Sequence, residues 1–555
     1  MFRTCDITGF KVDLKAQTLI RVNAVFAVVS LLVAIACAIL LVFTRWPQFH
    51  LLDAEWFYRV LTAHGLNALI FWIVFFEAAG LVFGSTVTLN ARMAYPMGGW
   101  IATYLMIGGF LLTNIMVFQG FADVLFTSYV PLKAHPLYYL GIILFAVGAL
   151  LMVAVFFGNL MVARKEKTYG ESLPLFTYGL TAAAIIAVIT LATGAIIYIP
   201  ALLWSMGIIE NLDPATYKVV WWGLGHSSQQ INVCAMVAIW YLMSLLTVGG
   251  VSINEKVSRT GFALYVLFIC IASAHHLLTD PVVSSPWKVW NTSYAMYAAV
   301  LASMIHAFAV PSSIEVAQRR KGLVNGMFQW LAKAPWGNPA FSSLVISVAG
   351  FGFIGGITGV IYGKEQINII VHNTIAITGH FKGTVVIGTT LAFMGISYYL
   401  VPLIFRRKIV AFGLAKWQPW IFGIGIALVA VGMLSLGGYG VPRRHWDNSF
   451  SGGPFGHTFN PSIDLFWGIV GIGGVLAFLG ALIWVLQMTI TVFFGPKIKG
   501  PQDFQLALAA VPEAKKEHKG FEAPGTLTLT LFFMILLVVF FLLNMKWLAG
   551  AWEVQ

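Results

Sequence analysis

The sequence predicts an all-α fold, a polytopic membrane bundle of about thirteen transmembrane helices, and three observations predict it. Of 555 residues, 59% are hydrophobic and only 10% charged, and the mean hydropathy is +0.85. The apolar residues gather in runs of about 20 or more, long enough for a helix to cross a hydrocarbon core about 30 Å thick. The runs are continuous rather than alternating, which argues against a membrane β-barrel. Thirteen in series also argue against a soluble core built from the same helices.

The first span, 20–44, follows the charged segment Met1–Gln17, which lacks the layout of a cleaved signal peptide, so this helix is expected to be retained. The second, 64–88, opens at His64 and carries Glu77. Spans 99–122 and 136–162 follow, the latter ending at Arg164, Lys165 and Lys167. After 174–205 comes 218–247, which begins with Trp221-Trp222-Gly223-Leu224-Gly225-His226 and runs out before Lys256 and Arg259. Span 260–281 ends on His275-His276, and 290–314 carries His306 and meets Glu315, Arg319, Arg320 and Lys321. Span 341–363 precedes 370–405, which holds His372, His380 and Lys382 and stops at Arg406-Arg407-Lys408. The last three are 418–440, 463–494 (before Lys497 and Lys499) and 525–548.

Each of those basic clusters follows an even-numbered span. By the positive-inside rule they are cytoplasmic, which puts the N-terminus inside, the C-terminus outside and the polar connection 500–524 in a cytoplasmic loop. Residues 1–555 therefore read as one integral-membrane domain of a bacterial cytoplasmic membrane, surrounded by lipid. The net charge of +12 belongs to these loops and is no nucleic-acid signal. Cys5, Cys37, Cys234 and Cys270 show no paired spacing, so no thiolate metal site is expected.

Topology sorts the histidines by depth. His64, His226, the pair His275-His276, and His372 with His380 come from four different spans yet all fall in the outer part of the membrane. Polar groups at such depth are functional candidates by default. His226, His275 and His276 can offer three imidazole nitrogens to one metal and leave a position open for substrate. His380 is a candidate axial ligand to a haem iron. Residues two apart on a helix point about 200° apart, so His380 and Lys382 face opposite sides and can address different haems, with His64 as partner on one of them.

With these residues assembled, the sequence resembles the catalytic subunit of the haem–copper oxidase superfamily over nearly its whole length, and looks closest to the B-type branch. The resemblance rests on His64, Trp222-Gly223-Leu224-Gly225-His226, His275-His276 followed by Asp280-Pro281, His372-Asn373-Thr374, Gly379-His380-Phe381 and Pro442-Arg443-Arg444. It implies that His226, His275 and His276 bind the non-haem metal, that His380 binds a high-spin haem and that His64 binds a low-spin haem. It further implies that Arg443 and Arg444 meet haem propionates, with Asp280 and His372 in the polar cluster near those of the high-spin haem.

Two departures shape the expected function. Oxygen reductases of this superfamily mostly carry a tyrosine four residues after the histidine that stands here at 226; this chain has Gln230. Another branch supplies the phenol six residues before the histidine pair, where this chain has Ile269; Tyr265 lies a turn further away. Relatives without the tyrosine are nitric oxide reductases. The expected function is therefore reduction of two NO to N2O and water, with a divergent terminal oxygen reductase as the alternative and a transporter as a third reading. A neutral Gln230 favours copper over non-haem iron at the three histidines, iron remaining the alternative.

The second departure is Lys382, where the family has histidine as the other axial ligand of the low-spin haem; His64/Lys382 ligation is expected. Two haems, of b type, are thus implied. Glu77, His306 and Glu315 are candidates for a proton route. No Cys-x-x-Cys-His or dicopper cysteine loop occurs. Electrons are expected through a small membrane-anchored subunit of cupredoxin, dicopper or cytochrome c type, fed by a soluble periplasmic donor. Trp221, Trp222 and Trp446 are placed near that outer face.

Overall fold

A computed structural model describes residues 1–268, 273–450, 456–513 and 521–551. Apart from a small antiparallel pair, β1 (Phe2–Thr4) and β2 (Lys11–Asp13), the described chain is a helical bundle. Its long helices are α1 (Leu14–Arg45), α2 (Ala54–Thr86), α3 (Pro96–Phe118), α4 (Pro136–Lys165), α5 (Leu175–Ser205) and α6 (Pro214–Val248). Then come α7 (Glu255–Phe268), α8 (Ser285–Arg320), α9 (Pro339–Tyr362), α10 (Ile375–Phe405), α11 (Phe412–Gly438), α12 (Ser462–Phe494) and α13 (Pro524–Ala551). Among the described residues twelve are long and apolar enough to cross a membrane. The shorter one, α7, has 14 residues. Ile269 and Cys270 lie outside the described residues. His275 and His276 lie on a 3-10 turn, Ser273–His276.

Helix starts are set by side chains that hydropathy does not register. Asp53 accepts the Trp56 N–H, Asp213 accepts that of Thr216 with Pro214 in the first turn, and Asn338 accepts those of Ala340 and Phe341 beside Pro339. Such caps satisfy backbone donors that the helix leaves unpaired. Because of the Asp53 cap α2 begins ten residues before His64, which therefore sits inside the helix and not at its start.

Span 370–405 also needs correction. A short helix, Glu365–Val371, ends before His372; Asn373 is left-handed (φ 60°), and Thr374 bridges to Pro442. His372 therefore occupies a break ahead of α10, while His380 lies within it.

Packing makes α10 the axis of the bundle. In its most apolar window 83% of residues are buried, against 6% for α13, so α10 can present chemistry to both sides. Glycines allow the close approach elsewhere. A Cβ on Gly473 of α12 would stand 2.7 Å from the Gly425 carbonyl of α11, and one on Gly480 would stand 2.6 Å from Phe422 N. Short π-helical segments interrupt α2 (Asn67–Phe71), α8 (Trp290–Ala295), α9 (Phe351–Gly356) and α10 (Lys382–Thr390). Such segments shift the register of the side chains that follow.

Glu315, a candidate for a proton route, has structural partners as well. Its buried carboxylate accepts the N–H groups of Gly525 (2.9 Å) and Thr526 (2.6 Å) at the start of α13 and pairs with Arg319 (2.7 Å). It ties α13 to α8. Glu315→Ala leaves those N–H groups without a partner and takes the carboxylate from Arg319, which keeps the Gly326 and Met327 carbonyls; breaking such a buried pair costs about 3–5 kcal/mol. The expected result is a lower thermal midpoint in detergent, with Glu315→Gln recovering part of the loss.

Candidate metal centre and adjoining cavities

α6 and the Ser273–His276 turn bring three imidazoles together. One ring nitrogen from each of His226, His275 and His276 lies within 4.8 Å of the others. His226 Nδ1 and His276 Nε2 are 3.1 Å apart. Imidazole nitrogens sit about 2.0–2.1 Å from a bound zinc, and comparably from similar first-row metals, which puts neighbouring ligand atoms about 3–3.5 Å apart. The donor set fits such an ion. The turn is fixed by Asn291 in the π-helical segment of α8, whose Oδ1 accepts the His275 N–H at 3.1 Å. Trp222, one turn before His226, stacks on His276 with ring centres 3.8 Å apart and planes 8° from parallel. It and Trp221 are buried rather than interfacial, so neither is a membrane anchor. Trp446 lies in the outer loop and donates to the Leu52 carbonyl.

Gln230 is one turn beyond His226, and its amide lies 3.1 Å from the remaining ring nitrogen, His226 Nε2. The amide nitrogen is the atom that faces it, so Gln230 donates to the Nε2 lone pair, while Nδ1 is the edge of the ring that meets His276.

Facing the three histidines across a cavity of about 200 Å³ is His380, with Gly355, Gly356 and Gly359 of α9 in the wall. Thr358 donates to the Ile354 carbonyl, so its oxygen accepts from His380 Nδ1–H at 3.0 Å and frees Nε2 as a donor atom. A Cβ on Gly359 would come 3.0 Å from the His380 ring. The open wall and the free imidazole nitrogen fit the face of a haem. Tyr362, which the sequence reading did not single out, is also in the lining. Its helix ends there, and a run of glycines before a tyrosine was the only signal available.

A second cavity of about 270 Å³ has His64 and Lys382 in its walls, together with Arg443 and Arg444. His64 Nδ1 donates to the Ala34 carbonyl at 3.0 Å, which leaves Nε2 free. The two haem-ligand candidates of α10, His380 and Lys382, thus open on different cavities, as their two-residue spacing requires.

The outer loop after α11 is held by Arg45, which donates to the Pro442 carbonyl at 2.8 Å. Arg443 donates to Asn373 Oδ1 at 2.8 Å, and Arg444 lies over Phe126 and Tyr129. Burial and the adjacent Arg444 bring Arg443 down to about 9. Among the described residues no ion pair joins either guanidinium to a carboxylate. Two crowded cations of this kind are a receptor for anions such as propionates. His372 is pushed down to about 4 by burial, then by Arg443 and Lys218. Asp280 is nearby but is paired with Lys218 at 2.6 Å. Lys218 is a neighbour of this group that the sequence reading missed.

Deeper in, Ser252 and Ser258 are 2.8 Å apart, Tyr241 donates to Ser258 at 2.9 Å, and His306 Nδ1 is 3.0 Å from the Tyr241 hydroxyl. Tyr265 stacks on His306 and bonds Ser303 at 2.9 Å, and Ser303 reaches the wall of the metal cavity. Glu77 is buried in α2, beside Asn232 of α6.

A family profile described as "Cytochrome C and Quinol oxidase polypeptide I" matches residues 18–476. The chain is 30% identical to cytochrome c oxidase subunit 1 of Thermus thermophilus over 472 residues, 82% of each chain. It is 24% identical to cytochrome c oxidase polypeptide 1 of Halobacterium salinarum, over 80% of this chain and 73% of that one. A solved heme-copper terminal oxidase dimer superposes with a TM-score of 0.82 at 24% identity, covering 96% of this chain and 92% of that one.

Proposed function

The chain belongs to the cytochrome c and quinol oxidase polypeptide I family, and from that premise we propose that it is a nitric oxide reductase, joining two NO into N2O and water with two electrons and two protons. It is an oxidoreductase of the haem–copper type and a multi-pass protein of the bacterial inner membrane.

The observation that carries the reading is Gln230 against His226 Nε2. A carboxamide has neither an electron nor an acidic proton to give when an O–O bond breaks, and the coupling of two NO molecules needs no such donor. Gln230 acts as a positioning residue: its amide holds the His226 ring from the Nε2 side, away from the Nδ1 edge that meets His276. Gln230→Ala is expected to weaken metal binding about 10- to 100-fold, the usual cost of losing such a partner, as read by competition with a chelator.

His64 and Lys382 would hold a low-spin haem and His380 a high-spin one, both of b type, with Arg443 and Arg444 on the propionates. His226, His275 and His276 would hold copper in preference to non-haem iron, because the fourth neighbour is a neutral amide rather than a carboxylate. Bound there, these groups supply electron transfer and binding of NO. The chain's own residues do the rest. Trp222 buttresses His276, and the glycines of α9 leave room beside His380. The row Ser252–Ser258–Tyr241–His306, extended by Tyr265 and Ser303, carries protons towards the pocket. Electrons enter from a separate membrane-anchored subunit of cupredoxin or cytochrome c type on the outer face.

The second reading, a terminal oxygen reductase, is favoured by the oxidase names of the relatives and by Tyr362 in the cavity wall. Product analysis decides between them. Purified protein with an artificial donor under anaerobic conditions is expected to convert NO to N2O; vigorous O2 uptake with no N2O overturns the proposal.

A further inference from the structure

Glu77, a proton-route candidate from the sequence, is a buried carboxyl that stands apart from the Ser252–Ser303 row. It lies in mid-α2 at 8% exposure. Asn232 of α6, with its amide nitrogen turned towards α2, donates to Glu77 Oε1 at 3.1 Å and to the Ser228 carbonyl at 3.1 Å. Among the described residues no lysine, arginine or histidine is paired with Glu77. The carboxyl instead opens on an apolar cavity of about 250 Å³ between α2, α4, α5 and α6, whose wall also includes Ser228 and Gln229. Gln229 and Asn232 belong at the same time to the wall of the metal cavity, with Gln230 between them in sequence. A single layer of amide side chains from α6 therefore separates an acid with no cationic partner from the place where protons are consumed.

We propose that Glu77 is an internal proton donor to the metal pocket, acting through the amide layer of Gln229 and Asn232. An ionised carboxylate without a cation is costly in such surroundings, so the group waits as the neutral acid, which carries its proton into the membrane without net charge. The inference rests on the reading that a proton-consuming reduction occurs in this pocket. In the balanced reaction, two NO, two electrons and two protons give N2O and H2O. Glu77 breaks its O–H bond and supplies one of the two protons to the oxygen that leaves as water. The electrons come from the external donor named above, and the resulting carboxylate regains its proton from the aqueous phase before the next cycle.

A merely structural Glu77 ties α2 to α6 through Asn232, and glutamine preserves that tie because its carbonyl accepts the same N–H. Glu77→Gln therefore separates the two roles. Turnover is measured on whichever of NO or O2 the wild-type protein reduces, so a failure of the nitric oxide reading does not conceal the result. Turnover is expected to fall about 100-fold, the scale of a lost general acid, while the haem spectrum and CO binding by the reduced protein stay unchanged. Glu77→Asp, which keeps an acid, is expected to retain more activity than Glu77→Gln. The infrared difference spectrum of CO photolysis is expected to contain a carboxylic-acid C=O band that Glu77→Gln removes. Turnover of Glu77→Gln within about twofold of wild type, or persistence of that band in the variant, overturns the proposal.

Discussion

Lys382→Ala is expected to convert the haem of the larger α10 cavity from six- to five-coordinate, with loss of its low-spin spectrum. Lys382 and His64 share that cavity, and the His64 Nδ1 bond to Ala34 leaves only Nε2 to bind from the other side. On the proposed ligation the truncation removes an axial ligand without disturbing the His380 side, which opens elsewhere. Axial ligation is one of the main levers on haem potential. Turnover is expected to fall about 100-fold, equivalent to about 2.7 kcal/mol in the rate-limiting barrier. Two companions make the result specific. Lys382→His should restore a six-coordinate haem with a bis-imidazole spectrum, and methylamine added to Lys382→Ala should restore an amine-ligated one. If the low-spin bands of Lys382→Ala match those of the parent, the lysine is no ligand.

The second large effect concerns the three imidazoles. His226→Ala removes the ligand that Gln230 orients and that meets His276 at 3.1 Å. Two nitrogens on one short turn then remain, which is too few to hold a divalent ion in an open site. The non-haem metal should be absent by elemental analysis while both haems stay in place. Activity should drop by about three orders of magnitude or more, since a catalytic metal contributes several kcal/mol and about 1.4 kcal/mol is a factor of ten. Retention of the metal with activity intact would place the ion elsewhere.

Much of this arrangement was legible in the sequence because the dominant force writes itself in composition. Apolar runs locate the spans, and His226 with Gln230 one turn on, or His380 with Lys382 two residues on, have directions that helical geometry dictates. The rest depends on contacts between residues far apart in the chain. The break at His372–Thr374 has no hydropathy signature; it follows from the left-handed Asn373 and the bridge to Pro442. The early start of α2 comes from a polar outer turn, with Asp53 as cap and Glu55 beside it, which a hydrophobic window discards.

Roles were harder to read than places. Glu315 is acidic near the end of a span, and its partners include the backbone of Gly525 and Thr526, 210 residues away or more. Asn291 steadies His275 from 16 residues off, and Lys218 reaches Asp280 from 62. Single-sequence periodicity carries no record of such pairs. The sequence places Trp222 only near the outer face, whereas its stacking on His276 is visible only once α6 and the Ser273–His276 turn meet.

Whether any phenol serves this pocket can be asked in one turnover. Fully reduced protein is mixed with O2, frozen within milliseconds and examined by electron paramagnetic resonance for a tyrosine radical. The account predicts none, with Tyr362→Phe indistinguishable from its parent. A phenoxyl signal that vanishes in Tyr362→Phe would contradict it and assign the pocket to dioxygen.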